Sequence, residues 1–258
     1  MIKNIVNDLG SRTVKLCNDF GRFGVFAIDV FAVMFSTKLK MKKVLEQIIY
    51  IGIKSLSIVI LVGCAVGAVL ATQSYIGLER FSGTQFIGPI VFISMVREFG
   101  PIFAAIMVIG RAGSAITAEI GTMRITEQID ALQTLCINTH QYLVVPRVVA
   151  GTIILPLLSL FCSVFGIIAG YIVSVYLLGI NGEVYQETIR THTELFDIVN
   201  GLIKAVVFGL LFSLISTYKG YITRGGAKGV GIATTQSVVF ANVTIVVTDW
   251  ILGSLMLK

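Results

Sequence analysis

The sequence predicts an all-α, polytopic membrane protein with an N-terminal interfacial helix followed by five transmembrane helices. Three observations predict this fold class: 55% of the 258 residues are hydrophobic, only 13% are charged, and the mean hydropathy is +0.90. A soluble domain carries about 25% charged residues, so the composition excludes a soluble enzyme and a disordered chain. The four cysteines show no CxxC spacing, which argues against a zinc site or a disulfide framework.

The first 36 residues predict a helix that lies at the cytoplasmic membrane interface. Apolar side chains recur there at helical spacing, beside a stripe of basic residues. The apolar set is Val6, Leu9, Leu16, Phe20 and Phe23, and the basic set is Arg12, Lys15 and Arg22. A soluble helix packed on a partner is the alternative. We therefore divide the chain into an interfacial region, 1–36, and a single five-span domain, 37–258.

Five segments are apolar enough to cross a bilayer, which takes roughly 20 residues in a helix. Three contain long runs without any charge, and two are interrupted by isolated charges. The predicted spans lie at about 50–76, 88–112, 146–178, 197–218 and 231–256. Nine of the twenty Lys and Arg residues lie before the charge-free run of the first span, which starts at Ser55. This bias predicts a cytoplasmic N-terminus and a periplasmic C-terminus.

Four charged residues lie deep inside the predicted spans, away from the span ends, namely Arg97, Glu98, Lys204 and Asp249. A charge at the bilayer centre costs about 2.5–3.5 kcal/mol, so these side chains should face protein or water. Their positions along three spans place them at one depth in the outer half of the membrane. This arrangement predicts a polar layer around a cavity for an amphiphile's headgroup. The alternative is a set of ion pairs that only holds the helices together.

The loop after the second span predicts an amphipathic cytoplasmic helix over about 115–136. Polar residues recur there at spacings of three and four, as on one face of a helix. This helix either docks a cytosolic partner through its acidic groups or lies along the membrane as a loop helix. The candidate docking residues are Glu119, Thr122, Arg124, Thr126, Glu127 and Asp130.

The sequence carries no catalytic motif. It lacks a GxxxxGK[ST] phosphate-binding loop, and its two histidines lie outside the predicted spans, away from any serine at matching depth. We therefore predict no catalytic residues, no metal site and no nucleotide hydrolysis by this chain.

The stretch VREFGPIFAAIMVIGRAGSAITAEIGTMRITEQIDAL, residues 96–132, resembles the MlaE family. Members are permease subunits of ABC transporters that work with MCE proteins in lipid transport, and PRVVAG at 146–151 fits the same family. The resemblance implies a homodimer in the inner membrane of a Gram-negative bacterium. It implies three partner proteins: a cytosolic ABC ATPase (MlaF-like), a STAS-domain protein (MlaB-like) and a periplasmic MCE hexamer (MlaD-like).

The resemblance also implies a function: moving phospholipid between the inner and outer membranes to maintain outer-membrane lipid asymmetry. ATP would bind the partner ATPase, and this chain would hold no cofactor and no nucleic acid. The helix at 119–132 would then couple to the ATPase, and the four intramembrane charges would lie near the lipid cavity. Leu70, Leu78 and Phe81 would line the acyl-chain path by analogy.

Two other function classes stay open from the sequence alone. One is an ion-coupled secondary lipid transporter that uses Glu98 and Asp249 as proton sites, although five spans do not divide into two equal repeats. The other is a membrane scaffold that transports nothing, for which the cavity would hold no lipid.

Overall fold

The computed structural model describes residues 2–37, 39–81 and 83–256. These residues form eight helical segments without any strand, which confirms the predicted all-α class. The segments are α1 (Ile2–Ser36), α2 (Met41–Glu79), α3 (Thr84–Ile125), α4 (Gln128–Thr134), α5 (His140–Leu177), α6 (Gly182–His192), α7 (Leu195–Tyr221) and α8 (Gly226–Leu255). By length and composition, α2, α3, α5, α7 and α8 can cross a membrane, as the five predicted spans required.

The predicted cytoplasmic helix at 115–136 differs from the structure. Its first half is the end of α3, which runs without a break from the second span, and its second half is the separate helix α4. The chain turns at Glu127, whose φ of 58° is left-handed and ends the helical hydrogen-bond pattern. The prediction of a single continuous polar stripe on one helix is therefore wrong. The stripe is divided between two helices.

Helix α1 packs on the α5 and α7 ends that lie beside it. Phe26 and Val30 are buried, and the Phe26 ring lies 5.3 Å from the rings of both His140 and Tyr218. Of the predicted apolar stripe, Phe23 packs on Tyr218 whereas Phe20 is exposed. The side chains of Val6, Leu9, Arg12, Lys15 and Leu16 lie outside the described residues.

Small residues bring α2 and α5 into close contact. A Cβ atom on Gly63 would lie 2.5 Å from the carbonyl oxygen of Cys162, and one on Gly67 would overlap the backbone of Gly166. Small residues allow this approach between membrane helices. The pair Gly63 and Gly67 therefore packs two spans of the same chain together.

Helix α3 is irregular where its charges lie. Residues Met95–Phe99 and Ile109–Gly113 each form a π-helical turn, a feature common at functional sites. Pro101 lacks an N–H group, and the carbonyl of Met95 accepts hydrogen bonds from the Gly100 N–H and from Ser163 Oγ at 3.0 Å. The distorted turn at Met95–Phe99 therefore contains both Arg97 and Glu98.

The short helix α6 covers the ends of α2 and α3, and it was not among the predicted helices. Asn181 caps it by accepting a hydrogen bond from the Glu183 N–H. Tyr185 is buried against Ala71 and Val91, and this burial raises the pKa of Tyr185 to about 12. The phenol is therefore neutral at physiological pH and anchors α6 as a large, mostly apolar group.

Candidate functional site

Three spans meet at a buried lysine. Lys204 on α7 has a side chain that is 2% exposed, and its Nζ forms ion pairs with Glu98 on α3 and with Asp249 on α8, the latter at 3.1 Å. A buried ammonium is tolerated when it is paired with carboxylates. The structure thus brings together three of the four predicted intramembrane charges, from residues more than 40 positions apart.

The fourth charge, Arg97, has a different partner. Its Nη1 lies 3.4 Å from Oδ1 of Asp197, near the beginning of α7. The other carboxylate oxygen of Asp197 accepts a hydrogen bond from the Glu194 N–H at 3.0 Å. Asp197 therefore has two roles: it caps α7 and it neutralises Arg97. This role of Asp197 was not predicted from the sequence, although the ExxD spacing of Glu194 and Asp197 is a capping-box pattern that signals a helix start.

A cavity of about 600 Å³ opens beside these ion pairs, between α3 and α8. Gly253 forms part of its wall, and a Cβ atom there would lie 3.4 Å from Lys204 Nζ and 3.6 Å from Glu98 Oε1. Because glycine has no side chain, nothing at position 253 separates the ion pairs from the cavity. The lining residues are Ile93, Ser94, Arg97, Glu98, Val246, Asp249, Trp250, Gly253 and Ser254.

The wall combines charge with apolar surface. Glu98 and Arg97 keep 41% and 25% of their side chains exposed, whereas the neighbouring Val246 and Trp250 supply apolar area. Paired charges beside an apolar wall suit a ligand that has a polar headgroup and a hydrocarbon tail. Within the described residues, no group of three or more His, Cys, Asp or Glu side chains is placed to hold a metal ion.

The residues assigned to an acyl-chain path lie elsewhere. Leu70 and Leu78 on α2 pack with the buried cluster around Met95, and neither lines the cavity. Phe81 follows α2 and is 82% exposed. The structure therefore does not bring these three side chains together with the charged residues.

The predicted docking residues lie around the turn between α3 and α4, and most contact their own chain. Glu119 pairs with buried Arg147 at 2.8 Å, and Arg124 pairs with Asp130 at 2.6 Å. The hydroxyls of Thr122 and Thr126 donate to backbone carbonyls one turn earlier in the chain. Glu127 is exposed at the turn itself and, within the described residues, forms no ion pair.

Five apolar helices around a charged cluster and an open cavity define a multi-pass membrane protein with a polar cavity between its spans. The family described as Permease MlaE matches residues 44–255. The chain belongs to this MlaE permease family, as its sequence resemblance predicted, and is a multi-pass inner-membrane protein.

Relatives match between 84% and 100% of the chain. It is 42% identical to the "Probable ABC transporter permease protein" of Rickettsia bellii, over 258 residues and 100% of both chains. It is 33% identical to the "Intermembrane phospholipid transport system permease protein MlaE" of Haemophilus influenzae, over 99% of this chain and 98% of that protein. It is 36% identical to "Protein TRIGALACTOSYLDIACYLGLYCEROL 1, chloroplastic" of Arabidopsis thaliana, over 84% of this chain and 62% of that protein.

Proposed function

We propose that this chain is the permease subunit of an ABC transporter that moves phospholipids between the inner and outer membranes and so maintains outer-membrane lipid asymmetry. The observation that carries the proposal is the ion-paired cluster of Glu98, Lys204 and Asp249 at the wall of a cavity of about 600 Å³. The printed name of the Haemophilus influenzae relative, a phospholipid transport permease, supports the same substrate class.

The working unit is a homodimer in this proposal. Glu98 and Arg97 are partly exposed at the cavity, and exposed charges are unfavourable against hydrocarbon. In addition, α8 is the least buried of the five spans: only 11% of the residues in its most apolar stretch are buried. A second copy that packs against α8 would cover the cavity mouth and enclose the headgroup of a bound lipid.

The ATPase partner docks at the turn between α3 and α4. This turn lies at the same end of the bundle as the beginning of α2, where Lys40 and Lys43 contact Tyr142. The charge bias of the sequence assigns that end to the cytoplasm. We propose that an MlaF-like ATPase binds there with an MlaB-like STAS protein, and that an MlaD-like MCE hexamer sits at the periplasmic end near α6. ATP then belongs to the partner, and this chain has no enzymatic activity of its own.

Transport requires two states of the dimer that differ in their affinity for lipid. ATP binding to the partner shifts the equilibrium only by its difference in affinity for those two states. Closure of the ATPases would move the turn at Glu127 and, through α3, the cavity wall that carries Glu98. A narrower cavity would then release the lipid towards the MCE protein.

Lipid binding can be tested with Trp250, the only tryptophan of the chain, because it lines the cavity. Brominated phosphatidylethanolamine added to detergent-solubilised protein should quench its fluorescence at saturable, low lipid fractions. The variant Glu98→Gln should raise the half-saturating lipid concentration several-fold. Quenching that rises only linearly with lipid and is the same in both proteins would refute a cavity site and would favour a scaffold.

The coupling site can be tested at Glu127, since Glu119 and Asp130 are needed for internal ion pairs. Glu127→Lys should weaken co-purification of the ATPase, whereas Glu127→Gln should have a smaller effect because it adds no positive charge. Both variants should keep the melting temperature of the wild type. Normal complex formation and normal stimulated ATP hydrolysis by Glu127→Lys would contradict the docking site. Lipid movement by the isolated subunit, driven by a proton gradient, would favour the secondary transporter.

A further inference from the structure

A second polar groove lies at the beginning of α2, away from the cavity that Trp250 lines. It is formed where the beginning of α2 meets the end of α3 and the beginning of α5, and it contains adjoining cavities of about 270 and 380 Å³. Both share Glu46, Gln47 and Glu119 as walls. The other lining residues are Lys43, Tyr50, Met123, Tyr142, Leu143, Pro146 and Arg147.

The groove carries one cation, Lys43, and one anion, Glu46, that have no partner of opposite charge in the described part of the chain. Within the described residues, neither Lys43 nor Glu46 forms an ion pair, whereas Glu119 and Arg147 neutralise each other at 2.8 Å. Lys43 Nζ lies 2.8 Å from the centre of the Tyr142 ring, so the aromatic face holds the ammonium at the groove. A ligand that presents both an anion and a cation would match this pair.

Buried polar atoms in the same groove also lack partners. Gln47 Oε1 and Arg147 Nε are buried and have no hydrogen-bond partner among the described residues. The Arg147 side chain is only 6% exposed. Unpaired buried polar atoms are costly and uncommon in proteins. They mark the groove as a site built for a polar ligand or for ordered water, rather than as a packing defect.

The position of the groove favours a lipid headgroup over a soluble ligand. On another face of α2, Met41, Leu45, Ile49 and Ile53 are exposed at helical spacing, as on a surface that meets acyl chains. Two more cations lie beside Tyr50, which lines the groove. Lys54 Nζ and the Arg111 guanidinium carbon lie 4.7 and 5.4 Å from the centre of its ring.

We propose that this groove binds the headgroup of a zwitterionic aminophospholipid, of the phosphatidylethanolamine type, from the cytoplasmic leaflet. Lys43 would pair with the phosphate, and Glu46 would accept hydrogen bonds from the ammonium group. Acyl chains would lie along the exposed apolar face of α2. The proposal uses the orientation proposed above but not the transport role, and the groove shares no lining residue with the Trp250 cavity.

Native mass spectrometry of the full chain in detergent tests this site with added dioleoyl lipids. Lys43→Gln and Glu46→Gln should each weaken phosphatidylethanolamine binding about tenfold, the order expected for loss of one charge-assisted hydrogen bond. The matched control Lys42→Gln changes an exposed neighbour that does not line the groove, and it should bind as the wild type does. For anionic phosphatidylglycerol, Lys43→Gln should weaken binding, whereas Glu46→Gln should not.

Three results would overturn the proposal. The first is equal phosphatidylethanolamine binding by the wild type and both groove variants. The second is complete displacement of the lipid by inorganic phosphate, which would indicate a site for free phosphate. The third is unchanged lipid binding together with loss of the co-purified ATPase, which would assign the groove to a protein partner. Trp250 quenching should stay unchanged in both groove variants, so failure here is distinguishable from failure of the outer cavity site.

Discussion

Removing the positive charge of Lys204 should destabilise the protein through the two carboxylates that it leaves behind. In Lys204→Met, the side-chain length is nearly preserved, but Glu98 and Asp249 lose their shared cation. At an effective dielectric constant of about 20, one charge pair at the Lys204–Asp249 distance of 3.1 Å is worth roughly 5 kcal/mol before desolvation is subtracted.

The net cost is smaller than this Coulomb energy. Breaking a buried ion pair by removing one partner typically costs about 3–5 kcal/mol, and we expect the lower end because 41% of the Glu98 side chain is open to the cavity. About 3 kcal/mol corresponds to a fall of roughly 6–12 °C in melting temperature for a chain of this size.

A fully neutral variant separates charge imbalance from loss of the lysine. In Glu98→Gln, Lys204→Met, Asp249→Asn, all three charges are gone, and replacement of a buried ion-pair network by neutral groups is often nearly neutral for stability. This triple variant should recover most of the lost melting temperature, measured by circular dichroism at 222 nm in one detergent. A single variant as stable as the wild type, or a triple variant no more stable than the single one, would refute the reasoning.

Changes in helix packing, in helix capping and in pH should each alter the stability of the protein. Gly67→Ala should destabilise the protein by about 1–3 kcal/mol because α2 and α5 must separate, whereas Gly77→Ala, with nothing within 4 Å, should not lower the melting temperature. Asp197→Asn should lower the free energy of unfolding by about 1 kcal/mol because it removes the ion pair with partly exposed Arg97. The difference in stability between the variant and the wild type should be smaller in high salt. The pKa of Tyr185 is about 12 in the fold and about 10 in the unfolded chain. Between these two pH values the unfolded chain has released the tyrosine proton whereas the folded chain retains it, so the free energy of unfolding should fall as the pH rises through this range. Tyr185→Phe should flatten this part of the curve in pH-dependent melting.

The spans and their charges were predictable because they depend on local composition. Hydrocarbon thickness sets the length of an apolar run, and Lys204 stands out as the one charge in a long apolar segment. The pairing of these charges was not predictable, since Lys204 and Glu98 are 106 positions apart. Only the packing of α3 against α7 and α8 decides which carboxylate reaches the ammonium, and it sends Arg97 to Asp197 instead.

The break in the helix expected over about 115–136 escaped prediction for a different reason. The residue that turns the chain is Glu127, and a left-handed φ is uncommon for any residue other than glycine. The polar periodicity continues across the turn, so spacing alone favours one helix. The structure shows that the ion pair of Arg124 with Asp130 bridges the two helices, and this contact stabilises the turn that the pattern conceals.

Helix α3 connects the cavity directly with the turn at Glu127. It runs from Thr84 to Ile125 over 42 residues, about 60 Å at 1.5 Å per residue, with Glu98 at the cavity. Glu119, near its other end, is fixed to α5 by buried Arg147, so displacement of the turn would act on two spans together. The π-helical turns at Met95–Phe99 and Ile109–Gly113 interrupt regular hydrogen bonding at the two charged levels of the helix. Bending of α3 at Met95–Phe99 should therefore cost less than bending of a regular helix, and it would move the part of the cavity wall that carries Arg97 and Glu98.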